Sequence, residues 1–376
     1  MLTPKYLQSV ADPLIKVYSE ADQKILSYLA KRLVQTDYSK TITEWQFDKI
    51  NKMGQVQTDV RFVFNETSLK SNSLVKKTIA DAGKKSILYD DAIYIAVGLS
   101  PLELSKSPYV QSAMMNGAAA TTLLLNSIAK RAETAAKSAY NKLLDKIYIN
   151  SLQDANAQKK AIIDSIKALG INGIEKESDI QQPFSGIESA VRRAVVTGVN
   201  KTTADMQIER AEEVGCQLVK TSAHLGARPT HQVWQGKVFC ITGSNERYGN
   251  FYTETGYGTG PGLCGWNCRH SFYPYFEGYQ DRFRAHVYSA EENAEEYTLQ
   301  QRQRYYERMI RLAKRELATI DAAVKETDDK YLKEGLYSEL DKATAKLRRR
   351  ENLLTEFINA NNLVREKGRE IGGGKK

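Results

Sequence analysis

Apolar residues recur along most of the chain at intervals of three and four, the spacing that lines one face of a helix. Leu14, Val17, Tyr18, Ala21, Ile25, Leu29 and Leu33 follow it, and Pro13 suits a first turn, so a long amphipathic helix is predicted over 14–33. From Thr41 to about Leu99 the pattern comes in shorter pieces, interrupted near Gly54, Ser71–Ser73 and Gly83, and predicts several short helices. A second helical block is predicted from Pro108 to about Leu152, with many alanines, the strongest intrinsic helix formers, between Ala118 and Ala139. Residues 158–169 predict a further helix ended by Gly170, and Asn172-Gly173 opens a turn-rich linker through Pro183.

Ser185-Gly186-Ile187-Glu188 has capping-box spacing, and Ile187, Val191, Ala194, Val195, Val199, Ala204, Ile208 and Ala211 carry a long helix towards Gly215. The period then changes. Cys216–Thr221 and Lys237–Ile241 read as strands, and residues 248–265 (YGNFYTETGYGTGPGLCG) read as a structured loop. Its glycines let Tyr248, Phe251, Tyr252 and Tyr257 fold over a small sheet. Helix returns after Pro274, with a second capping box at Ser289-Ala290-Glu291-Glu292. The stripes Tyr306, Met309, Ala313, Leu317, Ile320, Val324 and Leu336, Leu340, Ala343, Leu347, Leu354, Phe357, Ile358 match as an antiparallel hairpin. The fold class is therefore mainly α: long helical arms, a small α+β domain bearing Cys and His, and a C-terminal helical hairpin. The predicted boundaries are an N-terminal helical region at 1–170, the long helix plus α+β unit at 184–285, the hairpin at 286–365 and a disordered tail at 366–376.

Composition adjusts this picture in two places. At 376 residues several folding units are expected, and eight prolines suit long helices. The formal charge is +9, yet acids and bases interleave, so an anionic partner such as DNA is permitted without being singled out. The densest basic run, Lys346-Leu347-Arg348-Arg349-Arg350, lies within a helical pattern and reads as a solvated face. Ala113–Leu125 contains Asn116 and two threonines and falls short of the roughly 18 apolar residues of a span. Met1–Lys5 lacks the apolar core of an export signal, so neither membrane insertion nor export is expected.

The residues with distinctive chemistry are concentrated. All four cysteines (216, 240, 264, 268) and all four histidines (224, 231, 270, 286) fall between 216 and 286. Cys264-Gly265-Trp266-Asn267-Cys268-Arg269-His270 places three metal donors within seven residues after a glycine loop, and His231 is the natural fourth, with His224 as an alternative. A structural zinc ion held by His231, Cys264, Cys268 and His270 is the candidate site, because zinc takes four Cys or His ligands. Buried thiols packed as small hydrophobes, or a Cys264–Cys268 disulfide, are the alternatives. Cys264 or Cys268 with a nearby His has the residue types of a thiol dyad, but no carboxylate lies between Cys216 and Asn245 to orient a catalytic His231. Gly256-Tyr257-Gly258-Thr259-Gly260 lacks the Gly-Lys-Ser/Thr of a phosphate loop.

HLGARPTHQVWQGKVF (224–239) and TGYGTGPGLCGWNCRHSFYPYFEGY (255–279) strongly resemble phage minor capsid proteins of siphophages of Gram-positive bacteria, a resemblance extending over most of the chain. More distantly, the region is similar to the head-morphogenesis domain typified by the F protein of phage Mu, which Arg228, Pro229, His231, Asn267, Cys268 and Arg269 match. That domain tends to have His two residues before the Asn and Cys two after the central Cys. This chain has Cys264, displaced by one, and His270. Such exchange suits interchangeable metal ligands better than a nucleophile or base.

The resemblance implies a non-enzymatic structural protein of the virion. It would be assembled in the host cytoplasm with the procapsid, bound to the portal or major capsid protein, and in some phages delivered with the genome. Two other functions stay open at this point: a metal-dependent nuclease or hydrolase acting on phage DNA through His231 and His270, and a non-catalytic internal protein contacting DNA.

Overall fold

The computed structural model describes residues 1–174, 186–279 and 288–372. The periodic stretches become helices, numbered in chain order: α1 (Pro4–Ser9), α2 (Asp12–Gln35), α3 (Ile42–Ala96), α4 (Pro108–Ser151), α5 (Ala155–Asn172), α6 (Gly186–Glu213), α7 (Pro229–Gln232), α8 (Phe251–Thr255), α9 (Ala290–Val324) and α10 (Lys330–Ala360). Three short strands, β1 (Leu218–Thr221), β2 (Val238–Cys240) and β3 (Phe272–Pro274), form one antiparallel sheet in the order β2-β1-β3. The mainly helical class with a small α+β element is as the periodicity predicts.

Two local expectations change. Within 41–99 the chain forms one helix of 55 residues, Ile42–Ala96, instead of several short ones. Gly54 and Gly83 each cost only about 1 kcal/mol relative to alanine within a helix, and at Gly83 the missing side chain makes room, since a Cβ there would lie 2.7 Å from the Met206 sulfur. The glycine-aromatic loop contains α8, whose Asn250 side chain accepts from the Tyr252 and Thr253 amides and whose end is turned by Gly256 in the left-handed region. Ser185 and residues 175–183, which carry one predicted capping box and the linker, lie outside the described residues, as do His286 and residues 373–376 of the predicted tail. The second capping box forms: Ser289 Oγ accepts from the Glu292 amide and Glu292 Oε2 from the Ser289 amide.

The chain divides into two compact units, each assembled from three separated segments. Residues 1–14, 71–125 and 191–302 make the first, which holds the sheet. There β1 pairs with β2 through Leu218↔Cys240 and Lys220↔Val238, and with β3 through Lys220↔Tyr273 and Val219↔Pro274. Proline is tolerated at the end of β3 because that strand is an edge. The core of this unit gathers Tyr94, Ala204, Trp234, Phe239, Phe251 and Phe272. Two helices cross closely through small residues: a Cβ on Gly117 of α4 would lie 1.9 Å from Thr202 Oγ1 of α6, and one on Gly198 of α6 would lie 2.2 Å from Thr121 Oγ1 of α4. Each threonine turns its hydroxyl back onto the glycine carbonyl of its own helix, Thr121 to Gly117 at 2.8 Å and Thr202 to Gly198 at 2.6 Å. Arg210 of α6 is wholly buried, bridging Asp91 of α3 at 3.1 Å and Glu213 at 2.8 Å.

Residues 15–70, 126–190 and 303–376 make the second unit. Here α9 and α10 pair through Ile310, Leu354 and Ile358, with Tyr306 against Phe357. Lys346 bonds both Glu316 oxygens at 2.7 Å, and Arg350 donates to the Met309 carbonyl. The predicted hairpin is thus present, and its basic run is partly consumed within it. Arg315 collects the Gly170 and Ile171 carbonyls at the end of α5. Trp45 stacks on Tyr148 with ring centroids 4.4 Å apart. No helix among the described residues is long and apolar enough to cross a membrane.

Opposite outcomes are expected for two glycine substitutions. Gly117→Ala should lower stability in urea unfolding by about 1–3 kcal/mol through overpacking against Thr202. Gly54→Ala, with nothing within 4 Å, should raise it by up to about 1 kcal/mol. Arg210→Ala should cost about 3 kcal/mol in the same measurement, the low end for a broken buried pair because Asp91 and Glu213 keep some solvent contact.

Candidate metal centre

Three segments of the first unit converge on one buried point. Pro229 occupies the first helical position of α7 and its fixed φ starts that single turn, on which His231 is carried inward. The loop 264–268 turns tightly, with Cys264 (φ 59) and Asn267 (φ 52) both in the left-handed region. Asparagine adopts that region readily, whereas for cysteine it costs about 1–2 kcal/mol. The Trp266 amide donates to the Gly260 carbonyl at 2.9 Å, and Gly265 admits this approach because a Cβ there would meet the Thr259 oxygen at 2.1 Å. His270 and Ser271 then lead into β3, with the Ser222 amide donating to the Ser271 carbonyl and the Ser271 amide to Ser222 Oγ.

At the meeting point His231 Nδ1 and His270 Nδ1 are 3.3 Å apart, and Cys268 Sγ lies 3.9 Å from the first and 3.8 Å from the second. All three residues are buried. His231 Nε2 is 2.7 Å from the Pro261 carbonyl, and His270 Nε2 is 3.1 Å from Gln235 Oε1. Trp234 meets both imidazoles, with ring centroids 4.7 Å from His231 and 4.8 Å from His270. Burial pushes the His231 pKa down to about 4, against the opposing Pro261 hydrogen bond. Burial, then the neighbouring His224 and His231, holds His270 well below its ordinary value. Both imidazoles are therefore neutral, the form in which histidine ligates a metal. Burial likewise raises the Cys268 thiol.

Of the residues singled out in the sequence, His231, Cys268 and His270 come together in a group that could hold a metal ion. Cys264 is buried in the same apolar core but is not part of that group, and burial followed by the nearby Cys268 pushes its thiol well up. His224 stacks on His270 with ring centroids 4.1 Å apart, while its Nδ1 is 3.0 Å from the Leu225 carbonyl. Cys216 and Cys240 are buried free thiols beside backbone carbonyls, and Cys264 and Cys268 are likewise not joined in a disulfide. Arg228 donates to the Trp266 carbonyl at 2.7 Å, holding α7 to the Cys loop. No carboxylate belongs to the group among the described residues.

Three supporting residues escaped the sequence reading. Asn200 of α6, itself buried, donates from Nδ2 to the Cys268 carbonyl at 3.0 Å and the His270 carbonyl at 2.9 Å. Gln235 and the Pro261 carbonyl receive the outer nitrogens of the two imidazoles. The available signal was Asn200 itself, a polar residue directly after Val199 in an otherwise apolar stripe.

The phage minor capsid protein 2 family matches residues 2–359 of this chain. A "Structural protein" of Lactococcus phage LL-H is 32% identical over 130 residues, 33% of this chain and 34% of that protein. A "Structural protein" of Lactococcus phage mv4 is 43% identical over 67 residues, 18% of this chain and 53% of that protein. The chain thus spans about a third and about half of the lengths of these relatives. No solved structure matches. With the match running through nearly all described elements and through the His/Cys group, the chain belongs to the phage minor capsid protein 2 family, structural components of the phage capsid.

Proposed function

We propose that this chain is a non-catalytic minor head protein that docks on the portal or the inner capsid surface through its helices, and that the segment 184–285 acts as its head-morphogenesis-like domain. The observation that carries the reading is the family match over residues 2–359, which takes in both the long helices and the His/Cys group. In support, the group is buried and contains two imidazoles and a thiol, the donors of a structural zinc site. A hydrolytic metal site needs a coordination position open to substrate, which burial works against. We assign zinc here a stapling role within the domain, and the partners we propose are the portal protein or the major capsid protein. Delivery with the genome is compatible with this role.

Docking needs exposed apolar surface, and α3 supplies some in the second unit: Phe47, Ile50, Phe62 and Leu69 are all largely exposed. Non-specific DNA contact is the second reading. It rests on the net charge of +9 and on Arg348 and Arg349, which are exposed on α10.

Co-expression with the portal and major capsid proteins tests the docking. The chain should co-purify with one of them, and Phe62→Lys/Leu69→Lys should weaken that recovery while moving the stability by less than about 0.5 kcal/mol. Recovery with neither protein, together with salt-sensitive DNA binding, would replace docking by the DNA-contact reading.

A further inference from the structure

We infer that His231, Cys268 and His270 form a three-ligand zinc site, binding through both Nδ1 atoms and the Cys268 sulfur, with Cys264 outside the coordination sphere. The inference rests on the structural-zinc role assigned above and specifies its wiring. Zinc–nitrogen bonds of about 2.0–2.1 Å and a zinc–sulfur bond of about 2.3 Å, set at tetrahedral angles, put two nitrogens about 3.3 Å apart and a nitrogen and sulfur about 3.6 Å apart. The observed separations are 3.3 Å for the nitrogens and 3.8 and 3.9 Å to the sulfur. Three donors therefore already trace one face of a zinc tetrahedron.

Hydrogen bonding fixes which nitrogens are free to ligate. The Pro261 carbonyl can only accept, so His231 Nε2 carries the hydrogen and Nδ1 presents its lone pair. Gln235 Oε1 also accepts from the backbone amide of His224 at 3.1 Å, which orients the Gln235 amide with its oxygen towards the site. His270 Nε2, 3.1 Å from the same oxygen, is thereby the donor, and its Nδ1 is also a lone pair. Two lone pairs face each other at 3.3 Å inside the protein, with one thiol hydrogen available to both. A cation removes this conflict, and a carbonyl or amide oxygen receiving the outer N–H of each ligating histidine is the usual support of a zinc site.

Cys264 has a different place. It is buried in the apolar core and falls outside the donor group. Among the described residues no fourth His, Cys or carboxylate belongs to the group. Metal here would fasten α7 to the approach to β3. Through the Ser271 hydroxyl on the Leu2 carbonyl and Arg269 on Gln8, it would also hold the first residues of the chain.

The test is metal content and cobalt substitution of the full-length chain beside Cys268→Ser, Cys264→Ser and Gln235→Leu. One zinc per chain is expected in the parent and in Cys264→Ser, with the thiolate-to-cobalt absorption of a single sulfur in both. Cys268→Ser should lose that absorption. Gln235→Leu, which leaves every ligand in place, should bind zinc 10–100-fold more weakly with unchanged far-ultraviolet circular dichroism. Loss of metal in Cys264→Ser as complete as in Cys268→Ser would overturn the three-ligand wiring while leaving structural zinc standing. Unchanged affinity in Gln235→Leu would overturn the tautomer argument behind that wiring. A parent protein refolded with zinc that holds none would overturn both the wiring and the zinc role.

Discussion

Bringing two imidazoles and a thiol out of water obliges every polar atom on them to find a partner inside the protein, because an unpaired buried polar group costs about 1–3 kcal/mol. Much of the small α+β region answers that demand. His231 has the Pro261 carbonyl, His270 has Gln235, and the carbonyls of Cys268 and His270 share the Asn200 amide. Those partners come from the glycine loop, the turn after α7, and α6, so satisfying the three side chains fixes three separate segments at once. The neighbouring sheet is too short to do this alone, with strands of three or four residues.

The helices around this centre are held by a different economy of contact. In the first unit, Gly117 and Thr202 on one side and Gly198 and Thr121 on the other let α4 and α6 approach until side chain touches backbone. Dispersion between close surfaces does there what large apolar side chains do in the cluster of Trp234, Phe251 and Phe272. In the second unit, by contrast, ion pairs run between helices, including Lys167–Glu339 from α5 to α10 and Lys49–Asp145 from α3 to α4. Most of these are partly solvated, so each contributes under about 1 kcal/mol and they serve mainly to set register.

The long helices were legible because periodicity persists over many turns. The stripes ending at Val324 and Ile358 foretold α9 and α10, and Ser289 with Glu292 foretold the start of α9 to within a residue. Of the short elements, β1 and β2 fall within the strands predicted at Cys216–Thr221 and Lys237–Ile241, whereas β3 was not legible. Phe272–Pro274 is three residues ending in proline, and nothing local distinguishes it from loop; its pairing with β1 is a tertiary choice. The reading of α3 as fragments gave the glycines too much weight, since a penalty of about 1 kcal/mol is readily outweighed over 55 residues of packed helix. At the candidate centre the sequence showed the residue types and their crowding into one window. It could not show that Gln235 and Pro261 set the tautomers, because neither is a ligand and neither stands next to one.

Net charge is also reinterpreted by the fold. A formal +9 invites an anionic partner, but many of the cations are engaged internally. In the first unit Arg210 is buried between two carboxylates, Arg192 bonds the Gln8 carbonyl and Asp12, and Arg269 bonds Gln8 and Gln300. In the second, Arg315 caps α5, Arg365 forks onto Glu370, and Lys346 and Arg350 close the hairpin. Arginine suits these duties because its planar fork satisfies two acceptors at once. Where a guanidinium is spent on a carbonyl, as with the buried Arg315, it still adds to the formal charge while being turned away from solvent. Formal charge therefore does not map directly onto the surface, and the exposed cations of the described residues that an anionic partner would meet include Arg302, Arg348 and Arg349 and scattered surface lysines.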